Sequence, residues 1–344
     1  MPNTVSDYIA LAMQIPCMAV NKYQNREEVL QAIDSRIETI GKQIFGAKKF
    51  VGPHLRLIVL PEYFLTGFPT RENIQEWRDK ACFSKDDQIF KKLGDICQRE
   101  NIFLSGNYYE IDDNFPDFFF QASFIIDPKG KMILNYRRLN SMYSPTPHDV
   151  LDRYIDLYGY ESLFPVVDTE IGKLACIASE EILYPEVARC LMMRGAEVFL
   201  HSSSEIASAT LSKKNIGKRA RALENMAYVV SANSAGMIES LVLSNSTDGH
   251  SQIVHYEGHL LTEALVGESI VANSYIHIEA LREYRSRVSM KNYIARQRFE
   301  LYAESYSKHS FYPANQFKDA MLPKSAFNGI QQATIDKLKA KGIL

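Results

Sequence analysis

The sequence has no closely spaced cysteines, no excess of positive charge and no long apolar run, and each gap closes off a class of protein. Its five cysteines, Cys17, Cys82, Cys97, Cys176 and Cys190, are odd in number and far apart, with no C-x-x-C. A disulfide framework and a zinc site are therefore not expected, no metal or cofactor is implied, and free thiols suit a reducing cytoplasm. Lys and Arg number 39 against 41 Asp and Glu, a formal net charge of −2 without a basic stripe, so nucleic acid is not an expected partner. The opening stretch MPNTVSDYIALAMQIPCMAV lacks a basic n-region and a long apolar core, which argues against a signal peptide, a membrane span or a membrane partner. There is no internal repeat and no low-complexity linker.

What remains is a chain of 344 residues, 46% hydrophobic, enough for a large core in one α/β domain or two. It is organised around Gly172 to Leu200. Leu174 to Ala178 is too short for a helix and reads as a buried strand. Ser179-Glu180-Glu181 interrupts it, and Tyr184-Pro185-Glu186 opens a helix with Val187, Leu191 and Met192 at helical spacing. Gly195 ends that helix, and Ala196 to Leu200 begins the next strand. A small polar residue between strand and helix, followed by a backbone N–H, suits a nucleophile with an oxyanion donor beside it. The same pattern also describes an ordinary turn with a serine cap.

Upstream, Tyr8 to Val20 reads as a first strand, and Arg26 to Phe45 as an amphipathic helix with Val29, Ile33, Ile37, Ile40 and Ile44 on one face. Leu57 to Leu60 is a buried strand that ends at Pro61-Glu62. Carboxylates stay out of cores unless paired, so Glu62 is either a salt-bridged or capping residue or a functional one. Asp86 to Arg99 is helical and Ile102 to Leu104 a third buried strand, leading to Tyr109. Gln121 to Ile126 and Lys131 to Tyr136 form a hairpin across Asp127-Pro128-Lys129-Gly130, which runs into Arg137-Arg138. Downstream, His201 to Thr210 is a Ser-rich polar loop and Lys213 to Met226 a helix. Strands recur around Gly249 to Val254, Glu257-Gly258 and Gly267-Glu268. A tail after Ser289 carries helices around Tyr293 to Tyr306 and Thr334 to Lys341. That tail is too apolar to be free and too short to be a domain, so it packs on its own subunit or a neighbour.

Five segments, in order, resemble the nitrilase (carbon–nitrogen hydrolase) superfamily across Tyr8 to Arg287. LPEYFLTGFP resembles its L-P-E-x-x-x-x-G-[YF] segment, Tyr136-Arg137-Arg138 its Y-R-K, and the stretch ending Tyr184-Pro185-Glu186 its C-x-[DE]-x-x-[FY]-P-E. KRARALENMAYVVSANSAG resembles its R-A-x-E-N segment, and the final hairpin strands complete the order. The resemblance implies a four-layer α/β/β/α sandwich over residues 1–288, with residues 289–344 as a C-terminal extension. It also implies a small amide, nitrile or related molecule as ligand, and a homodimer or higher homo-oligomer in which sandwiches pack back to back. Glu62 falls on the general-base position, Arg138 on the oxyanion-stabilising lysine, and Ser179 on the nucleophilic cysteine. Glu180, Glu181 and Tyr109 are placed beside the substrate. Thr146 stands where many amidases of the family have a second glutamate; Asp149, Asp152 and Glu161 are the acids on the same loop.

Two of the three reacting side chains thus differ in kind. A serine hydroxyl is far less acidic than a thiol, and a carboxylate alone activates it weakly, so serine enzymes add His or Lys. His148, His201 and His250 are the candidates for a histidine partner. Arg138 keeps the positive charge, yet its planar fork suits a bidentate pair with Glu62 that would keep the base occupied. Cys176 differs from Ser179 by an odd number and faces the other side of the strand, so it belongs to the core. Two functions follow: a carbon–nitrogen hydrolase with a degenerate triad, or a catalytically silent homologue that binds a small ligand or a partner protein. A His or Lys on the Ser179 hydroxyl favours the first, and a closed Glu62–Arg138 pair the second.

Overall fold

The computed structural model describes residues 4–205, 212–240, 247, 249–318 and 322–344. In chain order the strands are β1 (Tyr8–Ala12), β2 (Cys17–Met18), β3 (Leu55–Val59), β4 (Phe103–Glu110), β5 (Phe120–Ile126), β6 (Met132–Arg137), β7 (Val167–Thr169), β8 (Gly172–Ala178), β9 (Val198–Ser202), β10 (Tyr228–Ala232), β11 (Met237–Ile238), β12 (Gln252–Val254), β13 (Leu260–Glu263) and β14 (Asn273–Ile276). They form two six-stranded sheets, ordered β14-β1-β3-β4-β5-β6 and β13-β12-β10-β9-β8-β7, with β2 and β11 as a separate pair. Each sheet has a parallel centre, β1-β3-β4 in the first and β8-β9-β10 in the second, flanked by antiparallel strands.

The period of two in the strands decides which residues lie between the sheets. Tyr8, Ala10 and Ala12 of β1 share a buried cluster with Leu57, Val59, Ile125 and Tyr136 and with residues of β8, β9 and β10. Ile9 and Leu11 point the other way, into a cluster with Val29, Ile33, Ile37, Ile40 and Ile44 of the helix Arg26–Val51 and with Leu93 and Ile96 of the helix Gln88–Glu100. Helices Pro185–Met193 and Lys213–Asn225 lie against the second sheet. The result is an α/β sandwich with helices outside both sheets.

Several boundaries differ from the sequence reading. The first strand breaks after Ala12, and Pro16, which has no N–H to donate, precedes the short β2. The first helix continues past Phe45 because Ala47 extends its buried stripe, and Gly52, at φ +108°, ends it. Helices Ile74–Ala81, Leu151–Tyr158 and Ile278–Ser286 were not anticipated; each is short. In the tail, helix Glu300–Lys308 starts later than expected and Ala326–Ala340 earlier. Phe317 and Phe327 pack with Phe118 in the first-sheet cluster. The Asn315 and Phe317 N–H groups donate to the His148 and Asp149 carbonyls, both at 2.9 Å. The tail is therefore tied to the loop before Leu151. No helix among the described residues is long and apolar enough to cross a membrane, and all five cysteines are free.

Candidate active site

Parallel strands end together, so the loops that leave them meet at one edge of the sandwich. Glu62 follows β3, Ser179 follows β8 and Ser203 follows β9, while Arg138 leaves β6 beside them. A continuous ring of contacts joins these residues. The Glu62 N–H donates to the Ser203 carbonyl (3.1 Å), and Lys214 Nζ lies 3.1 Å from Ser203 Oγ and 3.2 Å from Ser179 Oγ. The neighbour of Ser179, Glu180, accepts from Arg138 Nη2 at 2.5 Å, and Arg138 Nη1 reaches Glu62 Oε1 at 3.3 Å.

Arg138 is nearly inaccessible, and every arm of its guanidinium is used. Nη1 also donates to Gln121 Oε1 (2.6 Å) and Nε to the Asn140 carbonyl (2.6 Å). Gln121 completes a triangle by donating to Glu62 Oε1 at 2.5 Å. The fork therefore does not close bidentately on Glu62; its two arms go to different carboxylates. Burial works to lower the Arg138 pKa, but the charge of Glu62, with Tyr63, Glu180 and Glu181, overrides it and holds the guanidinium charged above its ordinary value.

Ser179 lies at φ +50°, a left-handed conformation that costs a non-glycine residue roughly 1–2 kcal/mol. Side-chain contacts maintain it. His201 Nε2 sits 2.8 Å from the Ser179 carbonyl and Nδ1 2.8 Å from Ser231 Oγ. Because a carbonyl only accepts, Nε2 carries the proton and Nδ1 accepts from the serine hydroxyl. Burial pushes the His201 pKa well below its usual value, with Lys218 and Lys214 adding to the effect, so the imidazole is neutral. It holds the backbone of Ser179 rather than its hydroxyl.

Lys214 reaches that hydroxyl from the first turn of helix Lys213–Asn225. Ser212 caps this turn by accepting from the Lys214 N–H at 3.1 Å and donating to Glu205 Oε2 at 2.6 Å. Helix and elbow approach closely at Gly217, where an added Cβ would lie 2.9 Å from the Ile182 carbonyl oxygen.

The remaining candidates occupy different places. Glu181 is fully buried and accepts from Tyr136 Oη (2.7 Å) and from the N–H groups of Leu139 (2.7 Å), Asn140 (3.0 Å) and Ala178 (3.3 Å). Burial raises its pKa against these donors and Arg138. The carboxylate thus pins the exit of β6, and with it Arg138, to the elbow. Tyr109 is buried behind Tyr63, stacked with ring centroids 5.9 Å apart, with Trp77 at its edge. Thr146 and Asp149 bond each other, and Glu161 pairs with Arg194 at the surface. His250 pairs with Glu263, and His148 lies by Tyr312. Cys176 is buried 3.7 Å from Ser105 Oγ, its thiol pushed up to about 12 by burial, which is the character of a core residue. Residues 206–210 of the Ser-rich loop lie outside the described residues. Beyond Glu180 a cavity of about 780 Å³ opens, lined among others by Leu139, Phe164, Tyr184, Phe311 and Tyr312. His255, Glu257 and His259 bring ligand atoms within 4.8 Å of one another at the β12–β13 turn, a separate feature.

Reasoning from sequence missed Lys214 and Gln121. Gln121 begins an expected strand, where inward alternation was available as a signal. Lys214 lies in KKNIGKRARALEN, a run whose charge reads as a solvated helix face.

A model of the carbon-nitrogen hydrolase family matches residues 9–285, and the chain belongs to that family. A formamidase from Bacillus thuringiensis is 27% identical over 267 residues, covering 76% of this chain and 72% of its own. Nitrilase homolog 2 of Dictyostelium discoideum is 25% identical over 264 residues, 77% of this chain and 75% of its own. Among solved structures, Saccharomyces cerevisiae Nit3, a nitrilase-superfamily member, superposes with a TM-score of 0.64 at 20% identity over 83% of this chain and 96% of its own. That likeness establishes the shared fold.

Proposed function

We propose that the protein is a carbon–nitrogen hydrolase that cleaves a small amide by acyl transfer through Ser179. The observation that supports this reading best is the elbow. Ser179 is held in a strained left-handed conformation at the end of a buried strand, its neighbour Glu180 bonded to the charged Arg138, and strain of this kind collects where a side chain must be presented to a ligand. In the proposed roles Ser179 is the nucleophile, Arg138 stabilises the oxyanion, and Glu62 orients Arg138 and Gln121 and stands on the family's base position. Glu180 lines the 780 Å³ cavity, where the rest of the substrate would sit. A catalytically silent homologue is the second reading, favoured by the full set of partners around Arg138, which leaves that group little freedom to respond to a developing charge.

Ammonia release separates the two readings, measured over short amides and nitriles for wild type, Ser179→Ala and Glu62→Gln. Turnover lost in Ser179→Ala supports the hydrolase. No turnover, combined with a ligand-induced rise in melting temperature, supports the silent binder. Turnover is expected to be slow beside that of thiol-dependent relatives, because the hydroxyl is the poorer nucleophile at neutral pH.

We further infer a hydrolase domain over residues 1–288 with an extension over 289–344, and a homodimer in the cytoplasm. Helix Glu300–Lys308 buries none of its own residues, and Leu301, Tyr302, Val288 and Met290 are all exposed, an apolar surface suited to a second copy. Sedimentation at micromolar concentration should give a dimer; a monomer would overturn that part.

A further inference from the structure

We propose that Lys214 is the proton acceptor for Ser179, in the role the family position of Glu62 would fill for a thiol. This rests on the hydrolase reading above. A general base must first be in reach, at about 2.6–3.2 Å from the proton-bearing atom. Lys214 Nζ meets that condition at 3.2 Å from Ser179 Oγ, whereas Glu62 Oε1 is taken up by Gln121 and Arg138. Basicity points the same way. A carboxylate is matched to a thiol, while the far less acidic hydroxyl needs a stronger base such as an amine. The environment of Lys214 also fits. Its two hydrogen-bonding partners are both neutral hydroxyls, Ser179 and Ser203, and among the described residues it enters no ion pair. His201, which packs against the same elbow, is neutral and engaged by Ser231 and the Ser179 carbonyl, so it is unavailable as the base.

The step balances without a further reagent. Lys214 Nζ takes the proton from Ser179 Oγ as that oxygen bonds to the amide carbon, and the carbonyl π pair moves to oxygen on the side of Arg138. When the tetrahedral species collapses, the C–N bond breaks and the Lys214 ammonium returns its proton to the leaving nitrogen, giving ammonia and an ester on Ser179. A water then loses a proton to Lys214 and attacks the ester. The second collapse breaks the Ser179 C–O bond, Ser179 Oγ recovers that proton, and a carboxylic acid leaves. Ser203 Oγ, 3.1 Å from Nζ, holds the amine in position through the cycle.

The test is the rate of covalent capture of Ser179 by diisopropyl fluorophosphate, followed by intact mass, alongside ammonia release. Wild type should gain one adduct and Ser179→Ala none. Lys214→Ala should label about 100-fold more slowly or worse, and added methylamine should restore part of the rate in proportion to its free-base concentration. Lys214→Arg keeps the hydrogen-bonding capacity but is permanently charged and cannot accept a proton; it should be as slow as Lys214→Ala, and it serves if the alanine variant does not fold. Labelling of Lys214→Arg at the wild-type rate would show that only charge matters and would overturn the proposal. So would an active wild type whose labelling is unchanged by either Lys214 variant, an outcome that leaves the hydrolase reading standing. A wild type that neither labels nor releases ammonia overturns both.

Discussion

The site has two walls. On the first sheet's side, Glu62, Gln121 and Arg138 satisfy one another, and the guanidinium is charged and bound on every arm. On the second sheet's side, Ser179, His201, Ser203 and Ser231 are neutral, and the Lys214 side chain that reaches Ser179 and Ser203 is bonded to their hydroxyls. The first wall is fixed because a buried charge must be paired and hydrogen-bonded to be tolerable. The second concentrates what a reaction needs to change: a strained backbone, an exchangeable proton and an amine. Charge-paired groups make a rigid electrostatic frame, and neutral ones leave room for proton movement.

The largest effect should come from breaking the first wall. Arg138→Met leaves Glu62 without its buried counter-ion, and removal of one member of such a pair costs about 3–5 kcal/mol. Urea unfolding should show that loss; an unchanged midpoint would mean the wall is not electrostatically closed. Coupling between the walls should be next. The double variant Ser179→Cys with Arg138→Lys should release ammonia faster than the two single changes multiplied together, because groups acting as a unit are not additive. A coupling of about 0.5–3 kcal/mol is the ordinary range for neighbours. Full recovery in Ser179→Cys alone would show that Arg138 is already an adequate oxyanion partner.

His201 gives a smaller effect with a definite sign. Its folded pKa is depressed by burial, so the unfolded chain binds more protons as pH falls below about 6.5. Stability from the neutral ring is therefore fully present above that pH. It is lost on acidification by up to ~1.4 kcal/mol per pH unit until the folded pKa is reached. Denaturant midpoints at pH 7 and pH 5 should fall less for His201→Gln than for wild type. The smallest effect is expected from Ser179→Gly, which relieves the left-handed backbone and should raise stability by about 1 kcal/mol while abolishing capture at the elbow. A gain in melting temperature with total loss of labelling would separate strain from chemistry.

Much of the first wall was legible in the sequence because it follows strands. Glu62 after Leu57–Leu60 and Arg138 after a clear hairpin stand at ends that apolar runs mark unambiguously. Ser179 was legible for the same reason, at the break between an apolar run and a Pro-initiated helix. The second wall is assembled mainly across distance. Lys214 belongs to a polar helix whose pattern carries no sign of which lysine turns inward, and only the docking of that helix on the elbow selects it. Glu181 shows the opposite failure: a motif position invited a role at the ligand, whereas its carboxylate in the fold is occupied by three backbone N–H groups and a tyrosine.

That docking has one more consequence. At Gly217 the helix rests against the Ile182 carbonyl with no space for even a methyl group, and Lys214 lies one turn earlier on the same helix. The glycine acts as a spacer that sets how far the amine extends over the elbow. A Gly217→Ala change would lift the helix as a whole, lengthening the path between amine and hydroxyl without altering a polar atom. Proton transfer weakens steeply with distance, so under the proposed role of Lys214 a residue with no functional group of its own would become a mechanical adjustment of the chemistry.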